Sequence, residues 1–198
     1  MTSTLPQGPY GFKPIRHQNG GLVRPNTNGG YTIASNYGTS IFAGDLVSTT
    51  GTGRNVQVTA VAGTARGVYM GCQFVDSFGN VRFEKVFVTG IPIATGTVIN
   101  AFVYDDPLIV FKAQTGNGSI ANTNIGAYYN HGGQANGSLL TGMSAEYVDA
   151  ATHANTSKTL FAVNLTQIPG NDFGGFSELE VLIGKHELNP GTYVATGS

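Results

Sequence analysis

The chain has 198 residues, of which only 11% are charged, and its net charge is −1; a soluble domain of ordinary composition carries about 25% charged residues. There is no basic block for nucleic acid, no apolar run near the ~20 residues of a membrane-spanning helix, no apolar signal segment at the start, and only one cysteine, Cys72, which excludes an internal disulfide framework. The fold must rest on burial and hydrogen bonding, and a composition so poor in charge, with 29 Gly, 11 Phe and 9 Tyr, suits equally a protein whose outside is itself covered and a polar, uncharged β surface that needs few charges.

Residues 1–30 contain Pro6, Pro9, Pro14 and Pro25 among six glycines, and this composition reads as an extended N-terminal arm. Beyond it, short β-branched and aromatic runs are separated by Gly, Asn, Asp and Pro, the pattern of strands and tight turns. Strands are expected at Tyr31–Ala34, Ser40–Phe42, Leu46–Thr50, Asn55–Val61, Gly67–Val75 and Val81–Val88. In the last of these, Arg82 and Glu84 share one face and Phe83 and Phe87 the other. Asp76-Ser77-Phe78-Gly79-Asn80 is a hairpin-like loop. Gly90–Ala94, Thr97–Tyr104 and Leu108–Lys112 follow, the last after the turn Asp105-Asp106-Pro107. Residues 113–137 are rich in Gly and Asn and read as a long loop, or as weak strands around Ile125–Tyr129. Leu139–Leu140, Glu146–Val148, Thr159–Ile168 and Glu178–His186 complete the set. No segment has a firm helical period, and Ala145–Asn155 comes nearest to one. The expectation is an all-β chain, an antiparallel sandwich or barrel over 31–188, with the arm before it and a tail at 189–198.

Catalytic chemistry has little support. His17, His131, His153 and His186 show no metal-ligand spacing. Glu178 and Glu180 lie on one strand face roughly 7 Å apart, a separation that inverting glycosidases use, but Leu179, Val181 and Ile183 form the opposite, buried face, and a solvated strand face explains the pair with no further assumption. Gly51-Thr52-Gly53 and Gly116-Asn117-Gly118 complete no phosphate-binding fingerprint. No enzyme activity, cofactor or metal is expected, and Cys72 within a strand reads as a buried thiol. What stands out is the apolar and basic cluster in the arm. Tyr10, Phe12, Pro14 and Arg16 are the candidate protein–protein contacts, with packing against the chain's own body as the alternative.

Gly8-Pro-Tyr-Gly-Phe-Lys-Pro-Ile-Arg-His17 resembles the opening of a group of tailed-phage virion proteins. Gly44-Asp45-Leu46-Val47, Gly67-Val68-Tyr69-Met70-Gly71, Asp106-Pro107-Leu108-Ile109-Val110-Phe111, Leu160–Asn171 and Glu180–His186 follow in the family's order. The group is similar to capsid decoration, or cement, proteins. The resemblance implies an all-β homo-oligomer, a trimer by preference, on the outer surface of the capsid, bound across subunits of the major capsid protein, with no nucleic acid or membrane partner. Such a protein stabilises a shell by binding the assembled lattice and not the free subunits. The alternative is a carbohydrate- or receptor-binding module of a tail or fibre. If the arm is the contact, deleting residues 1–17 leaves a folded body that binds heads less well.

Overall fold

The computed structural model describes residues 3–5, 7–51 and 53–188; the tail expected at 189–198 lies outside them. The chain is all-β. Its strands are β1 (Lys13–His17), β2 (Asn26–Ile33), β3 (Ile41–Phe42), β4 (Leu46–Thr49), β5 (Val56–Val58), β6 (Gly67–Val75), β7 (Val81–Glu84), β8 (Val86–Phe87), β9 (Ile99–Tyr104), β10 (Ile109–Gly116), β11 (Tyr128–Gly132), β12 (Gly137–Ser138), β13 (Met143–Ser144), β14 (Tyr147–Ala154), β15 (Leu160–Leu165) and β16 (Glu178–Ile183), with one short 3₁₀ turn at Asn122–Asn124.

The strands form two rings in succession along the chain. In the N-terminal ring the order is β2-β9-β6-β4-β5, and a parallel bridge from Thr32 to Asn55 brings its two ends together. There Thr32 N donates to Arg54 O at 3.0 Å and Thr32 Oγ1 to Asn55 Oδ1 at 2.8 Å. The C-terminal ring runs β10-β14-β11-β15-β16 and closes where β16 pairs antiparallel with β10. Closure removes sheet edges that would otherwise expose unpaired backbone groups. Alternation supplies the filling: Ile99, Ala101 and Val103 point inward from β9, and Leu179, Val181 and Ile183 from β16.

Each ring has its own buried cluster, and the two share a wall. Successive residues of a strand point to opposite faces. Leu46 on β4 and Val68 on β6 therefore enter the C-terminal cluster, while their neighbours Val47 and Tyr69 enter the N-terminal one. The body expected as a single sandwich or barrel is thus two rings pressed together across β4 and β6.

The expected arm is largely built into the rings. β1 pairs antiparallel with β10, Lys13 opposite Lys112 and His17 opposite Ile109. It occupies the stretch of β10 edge that β14 leaves free, since β14 reaches only Thr115 and Gly116. Pro14 is tolerated because β1 is an outer strand with one partner. Asn26–Ile33 joins the N-terminal ring as β2. The long loop expected over 113–137 is also corrected. β10 continues to Gly116, and Tyr128–Gly132 is an inner strand between β14 and β15; pairing on both sides overrides the weak strand preference of Gly and Asn. The segment nearest to a helical period, Ala145–Asn155, contains the strand β14. Leu139–Leu140 is the tip of the β12–β13 hairpin, and Gly90–Ala94 holds only an isolated bridge, Asp76 to Ile93.

Candidate interaction surface

The four residues singled out in the N-terminal segment meet different fates. Phe12 is 1% exposed and belongs to the C-terminal cluster, so its ring is consumed by the chain's own core and is not free for a neighbour. Tyr10 is half-buried. The Lys13 ammonium lies 4.1 Å from the centre of its ring and Lys112 lies 5.5 Å away, a cation–π arrangement. Burial, with the Glu178 carboxylate beside it, pushes the Tyr10 hydroxyl far above its usual pKa. Pro14 is half-buried on β1, and Arg16 is exposed. Arg16 Nη2 pairs with Glu180 Oε2 at 2.8 Å, and Lys112 Nζ with Glu178 Oε2 at 2.8 Å. Both glutamates are thereby engaged by cations of neighbouring strands, which accounts for the pair without a catalytic cleft.

Two of the motif segments that carry the resemblance touch each other. Gly11 has φ +75° and Gly44 φ +102°, a region that disfavours side chains. A Cβ on Gly11 would lie 2.7 Å from Gly44 O. The close approach lets Phe12 N donate to Gly44 O at 2.9 Å and Gly44 N to Tyr69 O at 2.8 Å. Beneath this crossing lies the seam between the rings. Asp45 and Glu146 are both fully buried there. Asp45 Oδ2 accepts from Phe42 N at 2.8 Å, and Glu146 Oε2 from Leu46 N at 3.0 Å. Burial raises the Asp45 pKa to about 6, against the opposing pull of the Phe42 N–H. Burial and the charge of Asp45 hold Glu146 well above the usual carboxylate range. These are fold-defining contacts: the glycines and the acids fix how the N-terminal segment crosses the seam.

The surface that remains apolar and uncovered lies elsewhere. Phe78 is 86% exposed at the tip of the β6–β7 hairpin, displayed by a firm turn in which Asp76 Oδ1 accepts from the N–H of Phe78 and of Asn80, both at 2.9 Å. Phe83 on β7 is 68% exposed, stacked at 6.4 Å on Phe102 of β9, and Val81 shares its face. On the other side of β7 a groove of about 350 Å³ is lined by Phe74, Phe78, Arg82, Glu84, Ile91 and Pro92. Nearby, Leu140 is 96% exposed on the β12–β13 tip, which backs onto β7's C-terminal neighbour through the contact of Gly142 with the Lys85 side chain. Exposed apolar side chains therefore stand at both ends of β7, Phe78 before it and Leu140 beyond Lys85 after it. One sign of it is present in the sequence, an aromatic residue at the centre of a five-residue turn. The expectation that Phe83 and Phe87 share one face of a single strand is corrected. The break at Lys85 separates them, sending Phe87 inward to 1% exposure and leaving Phe83 outside.

Three of the four histidines are held within the fold, and His153 is exposed on β14. His17 Nδ1 accepts from the N–H of Asn19 and of Gly21, so its Nε2–H donates to Asp106. His131 and His186 are buried, and desolvation lowers each to a pKa of about 4. Cys72 is buried, with its thiol pushed up to about 11, chiefly by desolvation. Among the described residues no cluster of three or more His, Cys, Asp or Glu is placed to hold a metal ion, and no helix is long and apolar enough to cross a membrane. No family model matches the chain, and no curated protein or solved structure matches it.

Proposed function

We propose that the chain is a capsid decoration protein that binds the outer surface of a phage head across subunits of the major capsid protein and stabilises the shell, acting by binding and not by covalent chemistry. The observation that carries this reading is the exposure of Phe78 and Leu140 on two hairpin tips and of Phe83 on β7, in a chain only 11% charged. Large apolar side chains held out on ordered turns and strands, where they gather, mark surface that a partner covers. A protein of low charge loses little hydration when covered, and a homo-oligomer multiplies modest contacts through effective concentration. The contact surface is assigned to the hairpin tips, with Arg16 and Pro14 on the outer strand β1 as secondary candidates.

The test is sedimentation with intact heads. The full chain should travel with heads and not with free major capsid protein. Phe78→Asp combined with Leu140→Asp should abolish the association while leaving the unfolding transition unchanged. A chain that stays in the supernatant with heads present, or a double variant that binds as well as the natural protein, overturns the reading. The groove beside β7, where Phe74 and Phe78 flank Asp76 and Arg82, favours a second reading as a carbohydrate- or receptor-binding module; retention on a glycan array by the isolated protein would support it.

A further inference from the structure

We infer that β7 is also the contact through which two copies of this chain join, strand to strand and antiparallel, about a two-fold axis at Phe83. Among the described residues β7 pairs on one side only, with β6, from Cys72 opposite Glu84 to Val75 opposite Val81. Its other edge offers backbone groups to a further strand. Free edges are usually blunted by a short strand, charged side chains, a proline or a bulge. β7 is short and charged, but its charges are one cation and one anion two residues apart, Arg82 and Glu84, on the same face at 3.0 Å, with Phe83 and Val81 exposed on the other, so they do not repel a second copy in every register.

That pattern is complementary to itself in one register. With the axis at Phe83, each Arg82 stands opposite Glu84 of the second copy, and the two Phe83 rings stand opposite each other. Opposite charges and aromatic rings directly across a strand pair are stabilising, and like charges are not. An axis at Arg82 or at Glu84 would set two like charges face to face. An axis between Arg82 and Phe83 would set a guanidinium against a ring and Val81 against a carboxylate. The charges therefore select the register as well as the partner, and a two-fold contact needs only this one patch from each copy. The contact does not depend on the proposed role in a shell.

Sedimentation velocity of the full chain over a range of concentrations tests it. A reversible dimer is expected. Arg82→Glu should weaken it at least tenfold, because each introduced carboxylate would face Glu84. Arg82→Glu combined with Glu84→Arg should restore it, because the facing charges are again opposite. Phe83→Cys should give a disulfide-linked dimer on mild oxidation, since the buried Cys72 does not compete, whereas Val81→Cys should not. Thermal unfolding of each variant establishes that the rings are intact. A natural chain that stays monomeric at all concentrations, a double swap that fails to recover, or equal cross-linking from Val81→Cys and Phe83→Cys overturns the inference.

Discussion

The segment Tyr10–His17 and the hairpin β6–β7 are built from the same kinds of residue: aromatic rings, a branched aliphatic side chain, and a few charges set between them. In the first, Phe12 is sealed in the C-terminal cluster, Arg16 is matched by Glu180 of β16 and His17 by Asp106 in the turn before β10. In the second, Phe78 and Phe83 stand in solvent and the charges are matched only within β7. The difference lies in what the rest of the chain provides. β10 has a stretch of edge that β14 does not reach, and β1 fills it; β7 has no second strand beside it among the described residues. Aromatic content near a terminus therefore says nothing about recognition until its partners in the fold are known.

The comparison is broken most severely by removing the N-terminal segment. Deletion of residues 1–17 should lower stability by more than ~5 kcal/mol, a large part of what a domain possesses, and denaturant unfolding should show a lost or strongly shifted transition. Next comes a matched pair of truncations. Phe12→Ala should lower stability by ~3–5 kcal/mol, as for other buried aromatic rings, and Phe83→Ala by under ~1 kcal/mol in the same assay. Similar losses for both would erase the contrast.

The crossing of the seam beneath the N-terminal segment gives a pH test. The pKa of Asp45 is raised in the folded state to about 6, so its contribution is whole below about pH 4 and is lost as the pH rises through 6. The stability of the natural protein relative to Asp45→Asn should fall by ~3 kcal/mol, to order of magnitude, between pH 4 and pH 7. Glu146, which faces Asp45, acts in the same direction. His131 and His186 act in the other, because a pKa lowered to about 4 withdraws stability as the pH falls from about 6.5. Relative to His131→Gln, the natural protein should therefore gain stability over the interval in which it loses stability relative to Asp45→Asn. Urea unfolding at a series of pH values reads both slopes. The smallest effect is expected from Arg16→Ala, which breaks a half-exposed ion pair with Glu180 and should change stability by ~1 kcal/mol or less.

Much of the fold is legible in the sequence because it depends on local alternation. β4, β6, β9, the start of β10, β15 and β16 arise from runs of Val, Ile, Leu and Phe between turn residues. The rest depends on partners distant in the chain. Lys13–His17 has no strand signature of its own, and Tyr128–Gly132 is extended because β14 and β15 flank it. The shared wall arises from the single-residue step between Leu46 and Val47 and between Val68 and Tyr69, whose meaning appears only when two rings exist to receive them. The candidate surface is half legible. Phe78 sits in a recognisable turn, but the exposure of Phe83 turns on the interruption at Lys85, and nothing in the alternation marks it.

The order in which the pieces are made has a consequence for how the chain reaches its final form. The strands β2 to β9 are consecutive, so that ring can assemble while the ribosome is still translating the C-terminal half. The other cannot. Its closing strand is β16, and β1, made well before β10, must wait for β10 to dock and for Glu180, 164 positions beyond Arg16, to complete its pairing. Until then Phe12 is carried as an exposed ring on a nascent leader, a natural landing place for a chaperone, and any premature stop before Glu178 leaves a product with one finished half and a loose N-terminal thread.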